Sequence, residues 1–304
     1  MSHQILLPKE NTSIPCTGAQ TILECTLAAG IKHIHACGGF GKCSTCRIAV
    51  NEGLEYCSER NECEQEIATQ LNFPQQVRLA CQTKINGDVN IRRLISDQID
   101  MKIVNQQFAD ESGTSLGSEK NVTIVFTDIE NYTPFVEQFP PYDVVHVLNR
   151  YLMIMNQVVK EHQGFISDVA GDGILAVFGN DSETENSVMA AVMALNEMQQ
   201  KLHEFNEYLK LNYQSSFKIR AGIHYGPVIM GPFDTGFMKK LAVIGDNVNM
   251  ASRIESANKD FGTTTLLSMD AYTMVKDRYP DLKCHKTTLK GKTGEFDLFE
   301  MPLK

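Results

Sequence analysis

The stretch GFISDVAGDGILAVF at residues 164–178 sets two short apolar runs on either side of Ala170-Gly171-Asp172-Gly173, the composition of a tight β-hairpin. Working outward, NVTIVFTD at 121–128 is an apolar strand that ends on Asp128. YDVVHVLNRYLMIMNQVVKEHQG at 142–164 carries apolar residues at helical spacing and stops at Gly164. A second long helix is expected in ETENSVMAAVMALNEMQQKLHEFNEYL at 183–209, and strands in FKIRAGIHY at 217–225 and KLAVIGD at 240–246. The order strand, helix, strand, strand, helix, strand, with helices on one face of a largely antiparallel sheet, predicts an α+β domain over 120–304.

Residues 1–93 read differently, as short strands with one or two short helices. TILECTLAAG at 21–30 is a helix ending in Gly30, CRIAV is a strand, and QTKINGDVNIRRL at 82–94 reads as two strands paired around Asn86-Gly87. Between the two regions, Ile95, Ile99 and Ile103 recur along one helical stripe, and ADESGTSLGSEK then has the composition of a linker. Residues 94–119 are therefore either a passive tether or a helix that passes a state from one domain to the other.

At 304 residues the chain fits two domains. A hydrophobic content of 42% with 21% charged residues describes a globular protein. The net charge of −9 argues against nucleic-acid or anionic-membrane partners, both of which need a basic face. No apolar run reaches the ~20 residues of a membrane-spanning helix, and MSHQILLPKEN lacks the apolar core of a signal peptide, so a cytoplasmic location is expected.

Nine cysteines are many, and eight of them precede residue 82. Cys37, Cys43 and Cys46 in HACGGFGKCSTCR follow the spacing C-x5-C-x2-C, and 34 residues separate Cys46 from Cys81 in RLACQ. Thiolates match iron in an iron–sulfur cluster, and Gly38, Gly39 and Gly41 suit a loop whose amides must turn sharply toward inorganic sulfur. Structural zinc is the alternative, but only Cys43 and Cys46 form the short pair that zinc sites use twice. Gly41-Lys42 fails as a phosphate loop because Cys43 stands where Ser or Thr belongs. Cys16, Cys25, Cys57, Cys63 and Cys284 show no ligand spacing and read as ordinary reduced thiols.

Asp128 at a strand end and Asp172 at a hairpin tip can meet if their strands are neighbours, and two such carboxylates would hold Mg²⁺ or Mn²⁺ for phosphoryl chemistry. In DNVNMASRIE, Asn249 and Arg253 are four apart on an expected helix and share a face. Lys290 or Lys292 in LKGKTG could contact phosphate.

The four-cysteine set resembles the [2Fe–2S] ferredoxins of the adrenodoxin and putidaredoxin type, over about residues 1–93, which implies a β-grasp fold. The acidic segment from Glu59 to Glu66 is either a docking face for a redox partner or an ordinary solvated helix face. FTDIE, GDGILAVFG, IRAGIHYGPV, VIGDNVNMASR and LKGKTG resemble, in order, the motifs of the class III nucleotidyl cyclase catalytic domain, which implies a ferredoxin-like βαββαβ fold. Carried over, Asp128 and Asp172 would bind two metals with the carbonyl of Ile129, Asn249 and Arg253 would stabilise the transition state, and Lys290 would hold phosphate. The resemblance implies conversion of a purine nucleoside triphosphate to a 3′,5′-cyclic nucleotide and pyrophosphate in a homodimer, with the carboxylates from one chain and the Asn/Arg pair from the other. The two base-recognition positions hold Asp168 and Ala242, which match neither the usual adenine pair nor the usual guanine pair. ATP is the expected substrate and GTP the alternative. The fusion points to cyclase output set by the redox state of the cluster; an electron-transfer or adaptor protein with an inactive cyclase domain is the competing reading.

Overall fold

The computed structural model describes residues 2–96, 99–100, 117–180, 186–234 and 239–303. It divides into two compact units, residues 1–118 with 231–240, and residues 119–230 with 241–304. Of the segment 94–119, Ile99 and Asp100 are helical, while Ile103 and most of the expected linker lie outside the described residues, as do 183–185 of the second long helix. No helix among the described residues is long and apolar enough to cross a membrane.

The first unit contains β1 (Ser2–Leu7), β2 (Thr12–Thr17), α1 (Ile22–Ala28), β3 (Arg47–Glu52), α2 (Glu62–Gln70), β4 (Val77–Leu79) and β5 (Val89–Arg93), with the five strands in the order β2-β1-β5-β3-β4. This is the β-grasp fold. β1 alternates, so Ile5 and Leu7 turn inward onto Ile22, Ile48, Leu79 and Ile91. A reciprocal cap starts α1: Thr21 Oγ1 accepts from Glu24 N at 3.2 Å, and Thr21 N donates to Glu24 Oε2 at 2.7 Å.

Two expectations fail in this unit. The Asn86-Gly87 segment does not join a two-stranded hairpin, because β5 inserts between β1 and β3, parallel to the first. Residues before the turn make only isolated bridges, Lys84 with Thr21 and Ile85 with Cys57. Cys16 and Cys25 are not reduced thiols but a disulfide, their Cα atoms 5.5 Å apart where α1 packs on β2. Cys57, Cys63 and Cys284 are free.

The second unit runs β6 (Ser118–Ile129), α3 (Tyr132–Gln138), α4 (Pro141–Glu161), β7 (Gly164–Ala170), β8 (Gly173–Phe178), α5 (Ser187–Tyr213), β9 (Ile219–Asp234), β10 (Lys239–Ile244), α6 (Asp246–Phe261), β11 (Thr265–Ser268), α7 (Met269–Thr273), β12 (Lys283–Thr287) and β13 (Phe296–Glu300). The sheet order β12-β13-β11-β9-β6-β8-β7, with β10 on β9, contains the βαββαβ core as β9-β6-β8-β7. Val125 and Ile129 of β6 turn to Val147, Tyr151 and Met155 of α4 and Val192 and Leu195 of α5. Val122 and Ile124 turn the other way, to Val228, Val243 and Ala251. Both faces of β6 are buried, which is why its sequence is a continuous apolar run rather than an alternation.

The helices do not share one face, as the sequence implied. On β9, Ala221 and Ile223 join the core under α4 and α5, so Gly222 between them faces the opposite side, and there α6 packs backbone to backbone. A Cβ on Gly222 would meet the amide nitrogen of Glu255 and come within 2.5 Å of Ala251 O. Because neither neighbour is a side chain that can rotate away, Gly222→Ala should destabilise the second unit by about 3 kcal/mol and displace α6. Urea denaturation checks it, and an unchanged midpoint would show that α6 can shift at no cost.

Candidate active site and cluster loop

The antiparallel register of β6 against β8 pairs Thr127 with Ile174. It therefore brings Asp172, at the tip of the β7–β8 hairpin, beside the end of β6, where Asp172 Oδ2 accepts from Ile129 N at 3.1 Å. Asp128 lies next to it: burial first, then the negative charge of Asp172, push the Asp128 carboxyl up to about 6. Two carboxylates in mutual repulsion, with the Ile129 carbonyl at the same strand end, form a donor set suited to a hard divalent cation. Behind them the hydroxyls of Tyr151 and Thr127 are buried without a hydrogen-bond partner within normal distance.

α6 carries the second group. Asn249 is exposed and Arg253 half-buried one turn later. Arg253 Nη1 lies 4.0 Å from Asp246 Oδ1 in the helix's first turn, and Lys292 Nζ donates to the other oxygen of the same carboxylate. The Lys292 ammonium holds Asp246 below the usual carboxylate range. The LKGKTG loop thus lies on Arg253, a Cβ on Gly291 falling 3.6 Å from its Nη2. Lys292 is the lysine that reaches Asp246, while Lys290 is exposed.

The two base-recognition candidates sit on different strands. Asp168 is exposed on β7 at a register shift, its Oδ1 accepting from Val169 N at 3.1 Å, and Ala242 is buried on β10. A base touching both would gain hydrogen bonds from Asp168 and only van der Waals contact from Ala242.

Glu255 was not foreseen. It is buried on α6, with Oε1 lacking a hydrogen-bond partner, and burial pushes its pKa up. Glu255 and Lys259 are the α6 residues whose charges act on Asp128. Its signal in the sequence is a carboxylate on the helix face that Ala251 and Ile254 mark as apolar.

In the first unit the four expected ligands come as two pairs. Cys46 Sγ and Cys81 Sγ are 3.4 Å apart, and Cys43 hydrogen-bonds Cys37. Within the first pair the hydrogen bond from Cys46 pulls Cys81 below an ordinary thiol and drives Cys46 upward. Gly38, Gly39 and Gly41 all have positive φ (73°, 89° and 68°), so the loop between Cys37 and Cys43 needs glycine. Two thiol pairs fit the two irons of a [2Fe–2S] cluster, each of which takes two thiolates. Among the described residues no three Cys, His, Asp or Glu side chains surround one point. Glu59, Glu62 and Glu66 of the acidic segment are exposed, but Glu64 is buried in a two-bond ion pair with Arg78 at 2.9 Å and is no part of a solvated face.

The adenylate and guanylate cyclase catalytic domain matches residues 115–299. The chain belongs to that family. The 2Fe-2S iron–sulfur cluster binding domain matches residues 6–86, ahead of the cyclase domain. Adenylate cyclase 1 of Rhizobium meliloti (strain 1021) is 31% identical over 183 residues, 60% of this chain and 27% of that protein. The adenylate cyclase of Anabaena cylindrica is 33% identical over 174 residues, 55% of this chain and 33% of that protein. The receptor-type guanylate cyclase gcy-19 of Caenorhabditis briggsae is 26% identical over 200 residues, 65% of this chain and 16% of that protein. The chain thus spans a third or less of the length of these curated relatives. The crystal structure of the guanylyl cyclase Cya2 is similar with a TM-score of 0.55 and 28% identity, over 60% of this chain and 92% of that one.

The raised Asp128 of the cyclase domain has a consequence for stability. An ordinary Asp titrates near ~4, so the folded domain grips this proton more tightly than the unfolded chain does. Stability is therefore lost, in the absence of metal, as pH rises from about 4 through about 6, where the second charge forms. Asp128→Asn should raise the metal-free thermal midpoint by about 2 °C near pH 7 and by nothing near pH 4. Scanning calorimetry at both pH values checks the sign, and a fall near pH 7 would exclude carboxylate repulsion.

Proposed function

We propose that the chain converts ATP to 3′,5′-cyclic AMP and pyrophosphate, at a site built by two copies of itself. Two sets of groups support this reading by where they point. On α6 the Glu255–Lys259 stripe acts on the chain's own Asp128. At ~100° per residue, the Asn249–Arg253 stripe lies about 120° around the helix from it. The Asn/Arg pair therefore addresses something other than its own carboxylates, and a second copy related by a twofold axis supplies the complement.

Mg²⁺ or Mn²⁺ held by Asp128, Asp172 and the Ile129 carbonyl would supply Lewis acidity, easing ionisation of the ribose 3′-hydroxyl and offsetting triphosphate charge. The 3′-oxygen bonds to the α-phosphorus, the bond to the bridging oxygen breaks, pyrophosphate leaves, and the hydroxyl proton passes to solvent. Arg253 stabilises the charge that grows on the α-phosphate, Asn249 orients the ribose, and Lys292 with Lys290 receives the leaving phosphates. Asp168 can accept from the adenine 6-amino group, or from guanine N1–H and its 2-amino group. GTP is therefore the competing substrate, and guanylate cyclases match the same segment.

Asp172→Ala and Arg253→Ala chains should each be inactive alone. Mixed, they should recover about a quarter of the natural activity, since random pairing makes half the dimers hybrid with one intact site each. ATP should turn over faster than GTP with either metal. No recovery from two folded variants would remove the shared site, and a preference for GTP would reassign the substrate.

The first unit adds a second layer to the proposal: a [2Fe–2S] cluster on Cys37, Cys43, Cys46 and Cys81, whose redox state sets cyclase output, with Glu59, Glu62 and Glu66 facing a redox partner. One electron added at a half-buried cluster changes the charge seen by the loop amides, and residues 94–119 connect that unit to the cyclase domain. Cyclase rates measured without air should differ at least about twofold between the oxidised and reduced protein. Equal rates would leave the cluster without a regulatory part.

A further inference from the structure

One buried titratable group near α6 takes no part in the chemistry proposed above. His224 on β9 is 3% exposed. Its Nδ1 lies 2.8 Å from Ser268 Oγ at the end of β11, and its Nε2 lies 2.9 Å from Asn247 Oδ1 in the first turn of α6. The surrounding bonds settle which atom donates. Asn247 Nδ2 donates to Pro227 O at 2.6 Å, so the atom turned toward His224 is the amide oxygen and Nε2 must carry the hydrogen. Ser268 Oγ already accepts from Ala271 N at 3.2 Å, which leaves its hydroxyl hydrogen for Nδ1. Of the two neutral tautomers, only Nε2–H satisfies the whole run, from the Ala271 amide through Ser268, His224 and Asn247 to Pro227 O. Burial keeps His224 in that neutral form.

The run matters because of where it ends. α6 starts from Gly245 with no side-chain cap, so the usual anchor of a helix's first turn is missing. Asn247, tied to β9 and through His224 to β11, takes that place. Two residues on is Asn249, and a further turn on is Arg253. We propose that His224 is a positioning residue of the cyclase reaction, fixing through Asn247 the first turn of α6 from which Asn249 and Arg253 project. This rests on the shared-site reading, because the residues it positions are those assigned to the transition state.

The hybrid pair of Asp172→Ala and Arg253→Ala chains separates the possibilities. Its one intact site takes the Asn/Arg helix from the Asp172→Ala chain and the carboxylates from the other. His224→Ala placed in the Asp172→Ala chain should lower kcat about tenfold, and in the Arg253→Ala chain less than about twofold. His224→Gln, whose amide can still donate to Asn247, should recover to within about threefold, whereas His224→Asn should not. Equal losses in both placements, or none in either, would overturn the assignment. If the parent hybrid makes no cyclic nucleotide, the shared-site reading has failed on its own account. The positioning claim then stands on hydrogen exchange in the full-length His224→Gln and His224→Ala proteins. Amides of residues 247–253 should exchange about tenfold faster in Ala than in Gln, with those of α4 unchanged; equal exchange in the two variants sinks it.

Discussion

The register that sets Thr127 opposite Ile174 decides where the charge of the second unit collects. It carries Asp172 onto the Ile129 amide and leaves Asp128 beside it, at a strand end whose two faces are both filled with aliphatic side chains. A slip of one residue would turn Asp128 into the core beneath α4 and α5, where Val125, Ile129 and Tyr151 are packed. That error would be costly, so the apolar core enforces the pairing and the pairing enforces the carboxylate contact. Burial first, and then the charge of Asp172, hold the Asp128 carboxyl up to about 6, and a divalent cation held there would relieve both.

Opposite charge is handled on α6 in a complementary way. Arg253 and Lys292 are both cationic and come from elements far apart in sequence, yet Asp246 lies near both, accepting from Lys292 and standing 4.0 Å from Arg253 Nη1. The carboxylate lowers the cost of bringing two like charges together. Helix periodicity then does the sorting: one stripe of α6 is spent on the chain's own Asp128, and the Asn249–Arg253 stripe is turned away from it. On the proposed reading a single chain therefore carries two half-sites that do not address each other.

The hairpin at Asp172, the strand ending at Asp128 and the helix bearing Asn249 and Arg253 were legible because each rests on local periodicity or turn chemistry. What was not legible depends on partners distant in sequence. The Asn86-Gly87 turn signal is real, but it cannot say that β5 will pair with β1 and β3 instead of with the residues before the turn. The stop of α4 was assigned to Gly164; the left-handed residue is Gln163, at φ 60°, and Gly164 is glycine because a Cβ there would press on the Phe178 ring. LKGKTG offered two lysines, and only the loop's packing on Arg253 brings Lys292 to Asp246. His224 lies inside the IRAGIHYGPV motif, but nothing local gives its role, which comes from Ser268 and Asn247, on β11 and α6.

The first unit contains two kinds of sulfur chemistry, and their separation follows from the backbone. Cys16 and Cys25 face each other across β2 and α1 and are joined. Cys37, Cys43, Cys46 and Cys81, the proposed cluster ligands, sit on a glycine-turned loop and on the segment after β4 and form no disulfide. α1 links the two systems. Its first amides, Ile22 N and Leu23 N, donate to Thr83 O and Ala80 O at 2.9 Å, on either side of Cys81, and Leu23 Cδ2 lies 3.6 Å from where a Cβ on Gly39 would be. The disulfide therefore uses none of the four cysteines proposed to hold the cluster, while it fastens to the sheet the helix on which the Cys81 backbone and the glycine loop both rest. Loosening α1 would be felt at Cys81 before it was felt in the sheet, because β1, β3 and β5 hold one another through the ladder without it.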